Sequence, residues 1–269
     1  MEAVRLMIEE AVRLMIDLHG EGPRQGPGGE AETRLAIRIA GLSASPDLRI
    51  ADVGCGTGAA TRVLASALGA HVTAVDLVPA FLASLQDAAQ AAGLEDRIQV
   101  LTGSMSDLPF AEGELDAIWS EGAIYNMGFE AGAAAWRKFL KPGGVLAVSD
   151  LTWLTEARPP DLQAHWEAAY SGIDTASARM AILERQGYAP MGYFVLPEAC
   201  WLENYYRPME QRFPGFLSRH GDTPAARRIV EAEAREIRLY EDHSAYFGYG
   251  FYIARKTDGD ADPKPGAPA

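Results

Sequence analysis

From residue 48 to residue 150 the sequence alternates short apolar, β-rich runs with longer segments whose apolar residues recur at helical spacing. The runs predict strands and the longer segments predict amphipathic helices. Apolar strands that are joined through helices form right-handed crossovers, so they lie parallel in a sheet that is covered on both faces. We therefore expect a doubly wound α/β fold. The predicted strands are Leu48–Val53, His71–Asp76, Arg97–Leu101, Glu114–Ser120 and Gly144–Asp150, and the predicted helices are Ala59–Leu68, Pro79–Gly93 and Gly128–Leu140, the last ended by Lys141-Pro-Gly-Gly144.

Segments on both sides of this region predict further elements. A near-perfect tandem repeat, Glu2–Ile8 and Glu10–Ile16, predicts one amphipathic helix through Leu18. A duplication that lengthened an end helix explains the repeat most simply, whereas a dimerisation helix, and with it a homodimer, is the alternative. The stretch Gly20–Gly29 is too rich in Gly and Pro for a helix or strand, so it predicts a loop. The remaining predicted elements are helices at Glu30–Leu42, Asp161–Tyr170 and Thr175–Gly187 and strands at Ala189–Leu196 and Tyr246–Arg255.

The net charge of −13 at pH 7 argues against a nucleic-acid partner. Affinity for phosphates comes largely from clustered Lys and Arg, and this chain has few such clusters. Its densest basic segment, Arg219–Arg238, is interleaved with Glu231, Glu233 and Glu236 at helical spacing. This pattern predicts a solvated helix face.

The sequence also predicts a cytoplasmic protein. No segment approaches the roughly 20 consecutive apolar residues that cross a bilayer, and the acidic amino terminus does not resemble a secretion signal. The two cysteines, Cys55 and Cys200, are expected to be reduced thiols, and Cys55 is expected to be a packing residue. No group of Cys, His or carboxylate residues has the spacing of metal ligands, so no metal site is predicted.

A glycine-rich segment follows the first strand of the predicted sheet. In an open parallel sheet, ligands bind beyond the carboxyl ends of the strands. Gly54, Gly56 and Gly58 lie at that end, and without Cβ atoms they let the backbone approach a ligand and turn into the next helix. Asp76 ends the second strand, where its carboxylate is placed to accept hydrogen bonds from a ribose. These residues predict a nucleoside site.

The same glycines leave a second nucleotide class open. Gly54-x-Gly56-x-x-Ala59 satisfies the variant of the dinucleotide fingerprint that ends in Ala. An NAD(P)-dependent oxidoreductase is therefore the alternative function. No Tyr-x-x-x-Lys pair or other hydride-transfer group is recognisable at the expected strand ends.

Five segments in order resemble the motifs of class I S-adenosylmethionine-dependent methyltransferases. They are Ile50–Gly58, Val72–Asp76, Gly103–Phe110, Leu115–Glu121 and Leu140–Leu146. The fuller strings Trp119–Asn126 and Arg24–Gly28 are most similar to small bacterial enzymes related to the ubiquinone and menaquinone C-methyltransferases. The resemblance implies a Rossmann-like sheet of seven strands in the order 3-2-1-4-5-7-6, with the last strand antiparallel. It also implies S-adenosyl-L-methionine as the cofactor.

The resemblance assigns roles to individual residues. It implies that Asp52 and the loop of Gly54, Gly56 and Gly58 hold the methionine part of the cofactor. Asp76 would bind the ribose. Around the adenine it implies Leu77, Met105, Ser106 and Asp107, and beside the sulfonium it implies Glu121. The alternatives are that Asp107 only caps a turn and that Glu121 faces water. Arg24 or Gln25, in the loop before the second helix, would contact the methionine carboxylate, unless this loop is a plain linker.

Methyl transfer from a sulfonium needs alignment and exclusion of water, and a general base only where the acceptor must lose a proton. Glu121, Tyr125 and Asn126 are the catalytic candidates, followed by Asp150 with Trp153; His19 and His165 are weaker. An aromatic group is expected either to line the acceptor pocket or to pack in the core. Its members are Trp153, Trp166, Tyr170, Trp201, Tyr205, Tyr206 and Phe213.

The expected organisation is one methyltransferase domain over residues 1–256 that acts on a small-molecule acceptor. Residues 1–46 would form amino-terminal helices and a lid loop. Residues 197–245 would form a helical insertion that caps the acceptor side. Residues 257–269 lack apolar periodicity and predict a disordered tail.

Overall fold

A computed structural model of the chain describes residues 2–257. Except for Thr257, the segment that was predicted to be a tail lies outside the described residues. None of the helices in the described part is long and apolar enough to cross a membrane.

The centre of the fold is a mostly parallel sheet. Its main path has the strand order β3-β2-β1-β4-β5-β8-β7. Neighbouring strands from β3 to β5 are parallel, and β8 is antiparallel to both β5 and β7. The strands are β1 (Arg49–Val53), β2 (His71–Asp76), β3 (Ile98–Thr102), β4 (Leu115–Glu121), β5 (Leu140–Trp153), β6 (Asp174–Thr175), β7 (Tyr188–Val195) and β8 (Phe247–Lys256).

This topology confirms the predicted doubly wound sheet with an antiparallel last strand. The one addition is β6, whose two residues pair with the end of β5 outside the main path. Without β6, the order is the predicted 3-2-1-4-5-7-6. A two-residue strand carries no periodicity, so the sequence pattern did not reveal it.

Ten α-helices surround the sheet in the described part of the chain. They are α1 (Glu2–Gly20), α2 (Glu30–Ala40), α3 (Ala59–Leu68), α4 (Pro79–Ala91), α5 (Phe129–Trp136), α6 (Pro160–Ala169), α7 (Ala176–Arg185), α8 (Glu198–Trp201), α9 (Arg207–Arg219) and α10 (Pro224–His243). The tandem repeat forms one continuous helix, α1, as predicted. A π-helical turn, Leu202–Tyr206, joins α8 to α9.

The central strands β1, β4 and β5 bury both faces, as the apolar runs predicted. Along β1, Ile50 packs in one hydrophobic core while Ala51 and Val53 pack in the other. The first core also holds the buried sides of α1, α2, α3, α9 and α10, and the second holds those of α5 and α7. The period of two along the strands thus separates the two layers of helices.

The segment Lys141–Gly144 differs from its prediction as a helix-ending turn. The helix α5 ends earlier, at Trp136, and β5 already begins at Leu140. The register between β4 and β5 shifts there, from Leu115 opposite Leu140 to Ala117 opposite Val145. Gly143, with φ of +72°, lies in the extra residues of β5. The segment is therefore an irregularity inside a strand, because pairing with β4 resumes on both sides of it.

Candidate active site

The glycine loop, Gly54–Gly58, connects β1 to α3 at the carboxyl end of the sheet. Its glycines at 54, 56 and 58 have φ values of +73°, +55° and +78°. A Cβ on Gly54 would lie 2.4 Å from the Cβ of Ala123, and one on Gly58 would lie 2.1 Å from Leu85. Only glycine fits such close approaches at positive φ. The glycines therefore let the loop pack tightly between α4 and the residues after β4.

Asp76 ties the end of β2 to the glycine loop. Its Oδ2 accepts a hydrogen bond from the Gly56 amide at 2.8 Å, and its Oδ1 accepts one from the Val78 amide at 2.9 Å. Each oxygen retains a lone pair for a further donor. The adjacent Leu77 is 64% exposed, so an apolar surface stands beside a half-buried carboxylate. This pair suits a ribose next to a flat ring.

Asp52 is a nearly isolated carboxylate beneath the loop. It is 1% exposed, and its Oδ2 accepts a hydrogen bond of 2.6 Å from the Thr61 hydroxyl on α3. Burial raises the pKa of Asp52 to about 7, and the nearby Glu121 carboxylate adds to the shift. A buried carboxylate with one neutral donor is a fitting partner for an ammonium group.

The connection between α1 and α2, residues 21–29, packs over the glycine loop and is called the lid loop below. Gln25 Oε1 accepts a hydrogen bond of 2.7 Å from the Thr57 amide. Gln25 Nε2 donates to the carbonyls of His19 and Gly22, each at 3.2 Å. At the other end of the lid loop, Asn204 Nδ2 donates to the Gly28 carbonyl at 2.8 Å. Both ends of the lid loop are thus tied to the rest of the molecule.

Glu121 is the last residue of β4, and it also holds the lid loop in place. Its Oε2 accepts from Arg24 Nη2, and its Oε1 accepts from the Thr33 hydroxyl at 2.6 Å and from Trp119 Nε1 at 3.0 Å. The side chains of Arg24 and Glu121 are 12% and 8% exposed. The alternative interpretation that Glu121 faces water is therefore wrong, because the folded lid loop covers this strand end.

A cavity of about 70 Å³ lies between the lid loop and the glycine loop, and we call it the small cavity. Six residues that the sequence assigned to the cofactor line it together: Arg24, Gln25, Asp52, Gly54, Gly56 and Glu121. These residues come from the lid loop, the glycine loop and the ends of β1 and β4. The structure thus brings together residues that are nearly 100 positions apart in the chain.

The residues predicted around adenine lie beyond the small cavity, after β3. Ser106 and Asp107 are exposed, and the Met105 carbonyl accepts a hydrogen bond of 2.9 Å from Trp136 Nε1. Met105 Cε lies 3.5 Å from the place where a Cβ on Gly54 would stand. Because β3 neighbours β2, this segment borders the same sheet edge as Asp76.

A second cavity, of about 500 Å³, adjoins the first and is called the large cavity. Residues of α1, α4, α6 and α10 line it together with the carboxyl ends of β4 and β5. Four of the seven predicted aromatic residues are in its wall: Trp166, Tyr170, Trp201 and Tyr205. The other three are not among its lining residues. Tyr206 and Phe213 pack with the core, and Trp153 stacks against Arg158.

The catalytic candidates after β4 and β5 separate in the structure. Tyr125 lines the large cavity and is 40% exposed, whereas the Asn126 amide donates to the Ala123 carbonyl at 3.0 Å. Asp150 is fully buried and forms an ion pair of 2.7 Å with Arg179, so it does not face either cavity. Of the two histidines, His19 lines the large cavity and His165 is exposed.

Two carboxylates in the large cavity were missed in the sequence. Glu233 and Glu236 both line it. Glu233 is buried, which contradicts the predicted solvated face at that position, whereas Glu236 is exposed. Glu233 Oε1 lies 3.2 Å from His19 Nε2, and Glu236 Oε1 accepts a hydrogen bond of 3.0 Å from the Tyr206 hydroxyl. The neighbouring Glu231 is exposed, as predicted.

The physical reason for this error is the packing of α10 against α1. Glu233 shares its helix face with Ala226, Ile237 and Tyr240, which are all buried. This apolar stripe at helical spacing was the available signal, since a carboxylate on such a stripe points towards the interior. Alternating charges on the rest of the helix concealed it.

The two cysteines and the possible metal ligands are the remaining reactive side chains considered in the sequence. Cys55 and Cys200 are both free thiols, as expected. Cys55 is half-buried, and its Sγ lies 3.6 Å from the Gly56 carbonyl oxygen. In the part of the chain that the structure describes, no group of three His, Cys, Asp or Glu side chains is arranged to hold a metal ion.

Comparison with known proteins agrees with this geometry. Residues 50–144 match the family model of the methyltransferase domain. The chain is 34% identical to a glycine/sarcosine/dimethylglycine N-methyltransferase of Actinopolyspora halophila over 45% of its length, but it spans only 22% of that relative. It is 26% identical to the 27-O-demethylrifamycin SV methyltransferase of Amycolatopsis mediterranei over 85% of each chain.

Solved structures share the fold along nearly the whole chain. A methyltransferase from Geobacter sulfurreducens in complex with S-adenosyl-L-homocysteine has a TM-score of 0.79 at 18% identity and covers 90% of this chain and 97% of its own. The [4+2]-cyclase SpnF has a TM-score of 0.73 at 21% identity, with coverage of 92% and 93%. At such identities the likeness concerns the fold alone. The matched domain shows that residues 50–144 are a methyltransferase domain, and the strand order and the glycine loop are those expected of the class I S-adenosylmethionine-dependent methyltransferases.

Proposed function

We propose that this chain transfers a methyl group from S-adenosylmethionine to a small molecule in the large cavity. One observation carries the proposal: the two cavities meet. Gln25, Gly26, Pro27 and Gly122 line both of them. A donor in the first and an acceptor in the second would therefore be in contact at the end of β4.

The residues around the small cavity fit the cofactor. The Asp52 carboxylate fits the ammonium group of the methionine part of the cofactor. The backbone of the glycine loop, which carries no side chains at Gly54, Gly56 and Gly58, leaves room for the rest of the methionine part. Asp76 has lone pairs for the ribose hydroxyls, while Leu77 and Asp107 offer an apolar surface and an acceptor for adenine. When bound, S-adenosylmethionine supplies an electrophilic methyl group on a sulfonium.

The chain's own contribution is alignment and exclusion of water. The ion pair of Arg24 and Glu121 and the hydrogen bonds of Gln25 hold the lid loop over the junction of the cavities. We therefore assign Glu121 a positioning role beside the reacting centre. Asn126 holds the turn that presents Tyr125. Tyr125 lines the large cavity together with Gly122, so its hydroxyl is placed to donate a hydrogen bond to the acceptor.

A small acceptor suits both the cavity and the chain. A volume of about 500 Å³ is in the range of small-molecule sites. The net charge of −13 opposes a nucleic-acid substrate. The names of the two relatives given above also refer to small acceptors. Neither the matched family nor these relatives support the alternative of an NAD(P)-dependent oxidoreductase. Two predictions stay untested: the relation to quinone C-methyltransferases and the homodimer.

Titration calorimetry with the free protein tests the cofactor assignment. We expect S-adenosylhomocysteine to bind with a Kd on the order of micromolar, which corresponds to about −8 kcal/mol. We expect NADH not to bind at the same concentrations, because the residues around the small cavity match an amino acid and not a second nucleotide. Preferential binding of NADH would reject the proposal. Because SpnF shares the fold but is a cyclase, transfer itself needs a second assay with methyl-labelled cofactor and candidate acceptors.

The pKa of Asp52 makes cofactor binding depend on pH. Burial raises this pKa to about 7, so the carboxylate is largely protonated at pH 6 and largely ionised at pH 8. Only the ionised form attracts an ammonium group. We therefore expect the affinity for S-adenosylhomocysteine to rise about tenfold from pH 6 to pH 8, as calorimetry at several pH values would measure.

The Asp52→Asn variant is the control for this pH dependence. Asparagine retains the shape and an acceptor for Thr61, but it does not ionise. Its affinity is expected to be flat between pH 6 and pH 8 and to lie at or below the wild-type value at pH 6. A slope that persists in the variant would assign the titration to another group.

A further inference from the structure

The large cavity has an acidic wall without matching basic residues. Glu233 and Glu236 lie one helical turn apart on α10, and both face the cavity. No lysine or arginine is among its lining residues in the described part of the chain. The only basic side chain there is His19, which pairs with Glu233 at 3.2 Å.

Glu236 is the carboxylate without a cation. Its contact is a neutral donor, the Tyr206 hydroxyl at 3.0 Å, and no ion pair of Glu236 is found among residues 2–257. It is exposed and lines the cavity.

The rest of the wall is aromatic. Seven Phe, Tyr and Trp rings line the cavity: Phe81, Tyr125, Trp166, Tyr170, Trp201, Tyr205 and Tyr249. Ring faces attract cations and repel anions, and this attraction is strongest where water is excluded. An anionic acceptor would meet two carboxylates and the electron-rich faces of the rings. A cationic acceptor would meet favourable partners on both sides.

Two donors in the same wall also lack partners. The indole Nε1 atoms of Trp166 and Trp201 are buried and have no hydrogen-bond partner in the described part of the chain. Trp201 itself is only 3% exposed. Buried polar groups are nearly always satisfied, so these two donors leave room for an acceptor atom on the body of a bound molecule, and not for its ammonium group. This observation is independent of the carboxylates.

We propose that the methyl acceptor carries an ammonium group, which binds Glu236 and Glu233 while its apolar or aromatic body lies against the ring-lined wall. This inference rests on the proposed function. An ammonium nitrogen has no lone pair, so the group bound here serves recognition. The atom that receives the methyl group then lies elsewhere on the acceptor, towards Gly122, where the two cavities meet.

Three probes that share an indole ring but differ in charge test the proposal. Their binding is measured by calorimetry on protein that is saturated with S-adenosylhomocysteine. Tryptamine is cationic, tryptophol is neutral and indole-3-propionate is anionic. We expect tryptamine to bind about tenfold tighter than tryptophol, and indole-3-propionate to bind most weakly. Tryptophol or indole-3-propionate binding as tightly as tryptamine would overturn the proposal.

Substitutions on α10 locate the effect. Glu236→Gln is expected to lower tryptamine affinity about tenfold and to leave tryptophol affinity unchanged. Glu231→Gln removes the same charge from the exposed side of the same helix, so it should change neither. Affinity for S-adenosylhomocysteine in each variant verifies the fold of the site. If Glu236→Gln still prefers tryptamine over tryptophol, this inference is wrong but the proposed function stands. If the wild type does not bind S-adenosylhomocysteine, the proposed function itself is wrong.

Discussion

Replacing Asp76 with alanine is expected to weaken the binding of S-adenosylhomocysteine by about 100-fold, or about 3 kcal/mol. A hydrogen bond to a charged group contributes about 1.5–3 kcal/mol, and a ribose would donate up to two such bonds to Asp76. The variant also removes the acceptor of the Gly56 and Val78 amides, which hold the glycine loop against β2. The loss therefore combines missing contacts with a loosened loop.

Two further variants separate these contributions in the same titration. Asp76→Asn retains an acceptor and the side-chain shape, so its loss of affinity should be clearly smaller than that of Asp76→Ala. Asp87→Ala removes a carboxylate from the exposed side of the neighbouring helix α4, and it should bind like the wild type. If Asp76→Ala binds as tightly as the wild type, Asp76 does not hold the ribose.

The sheet was predictable because each strand is a short apolar run whose signal lies within its own sequence segment. Ala59–Leu68 and His71–Asp76 were predicted with the bounds that the structure has. Most other elements differ by one to three residues at their ends, where the last turn of a helix or the end of a strand depends on its neighbours. The largest difference is at β5. Its first residues pair with β4 around an irregularity, and glycines and a proline in that segment indicate a turn instead.

The site was predictable to the extent that it is local in sequence. Asp52, the glycine loop and Asp76 lie within 25 residues and follow from the turn that joins β1 to α3. The partner of Glu121 did not follow, because Arg24 reaches it only when the lid loop folds across β4. Glu233 and Glu236 were missed for the same reason. Their position in a cavity arises from the contact between α1 and α10, helices at opposite ends of the chain.

The contact between the lid loop and β4 is expected to be a large contribution to stability. Replacing Arg24 with methionine should lower the free energy of unfolding by about 3 kcal/mol, because it leaves the Glu121 carboxylate buried without its cation. The value is at the lower end of the range for such changes, since Thr33 and Trp119 still donate to Glu121. Urea unfolding of the free protein measures it.

The double variant Arg24→Met with Glu121→Gln shows whether the buried charge is the cause. A neutral amide can still accept from Thr33 and Trp119, so the double variant should recover about 2 kcal/mol relative to Arg24→Met. Arg34→Met is the matched control, because Arg34 pairs with Glu30 on the exposed side of α2 and should contribute less than about 0.5 kcal/mol. An equal loss in the double variant and in Arg24→Met would show that packing of the arginine stem, and not the unpaired carboxylate, stabilises the closed lid loop. In that case Glu121 would no longer be the anchor that keeps water from the junction of the two cavities.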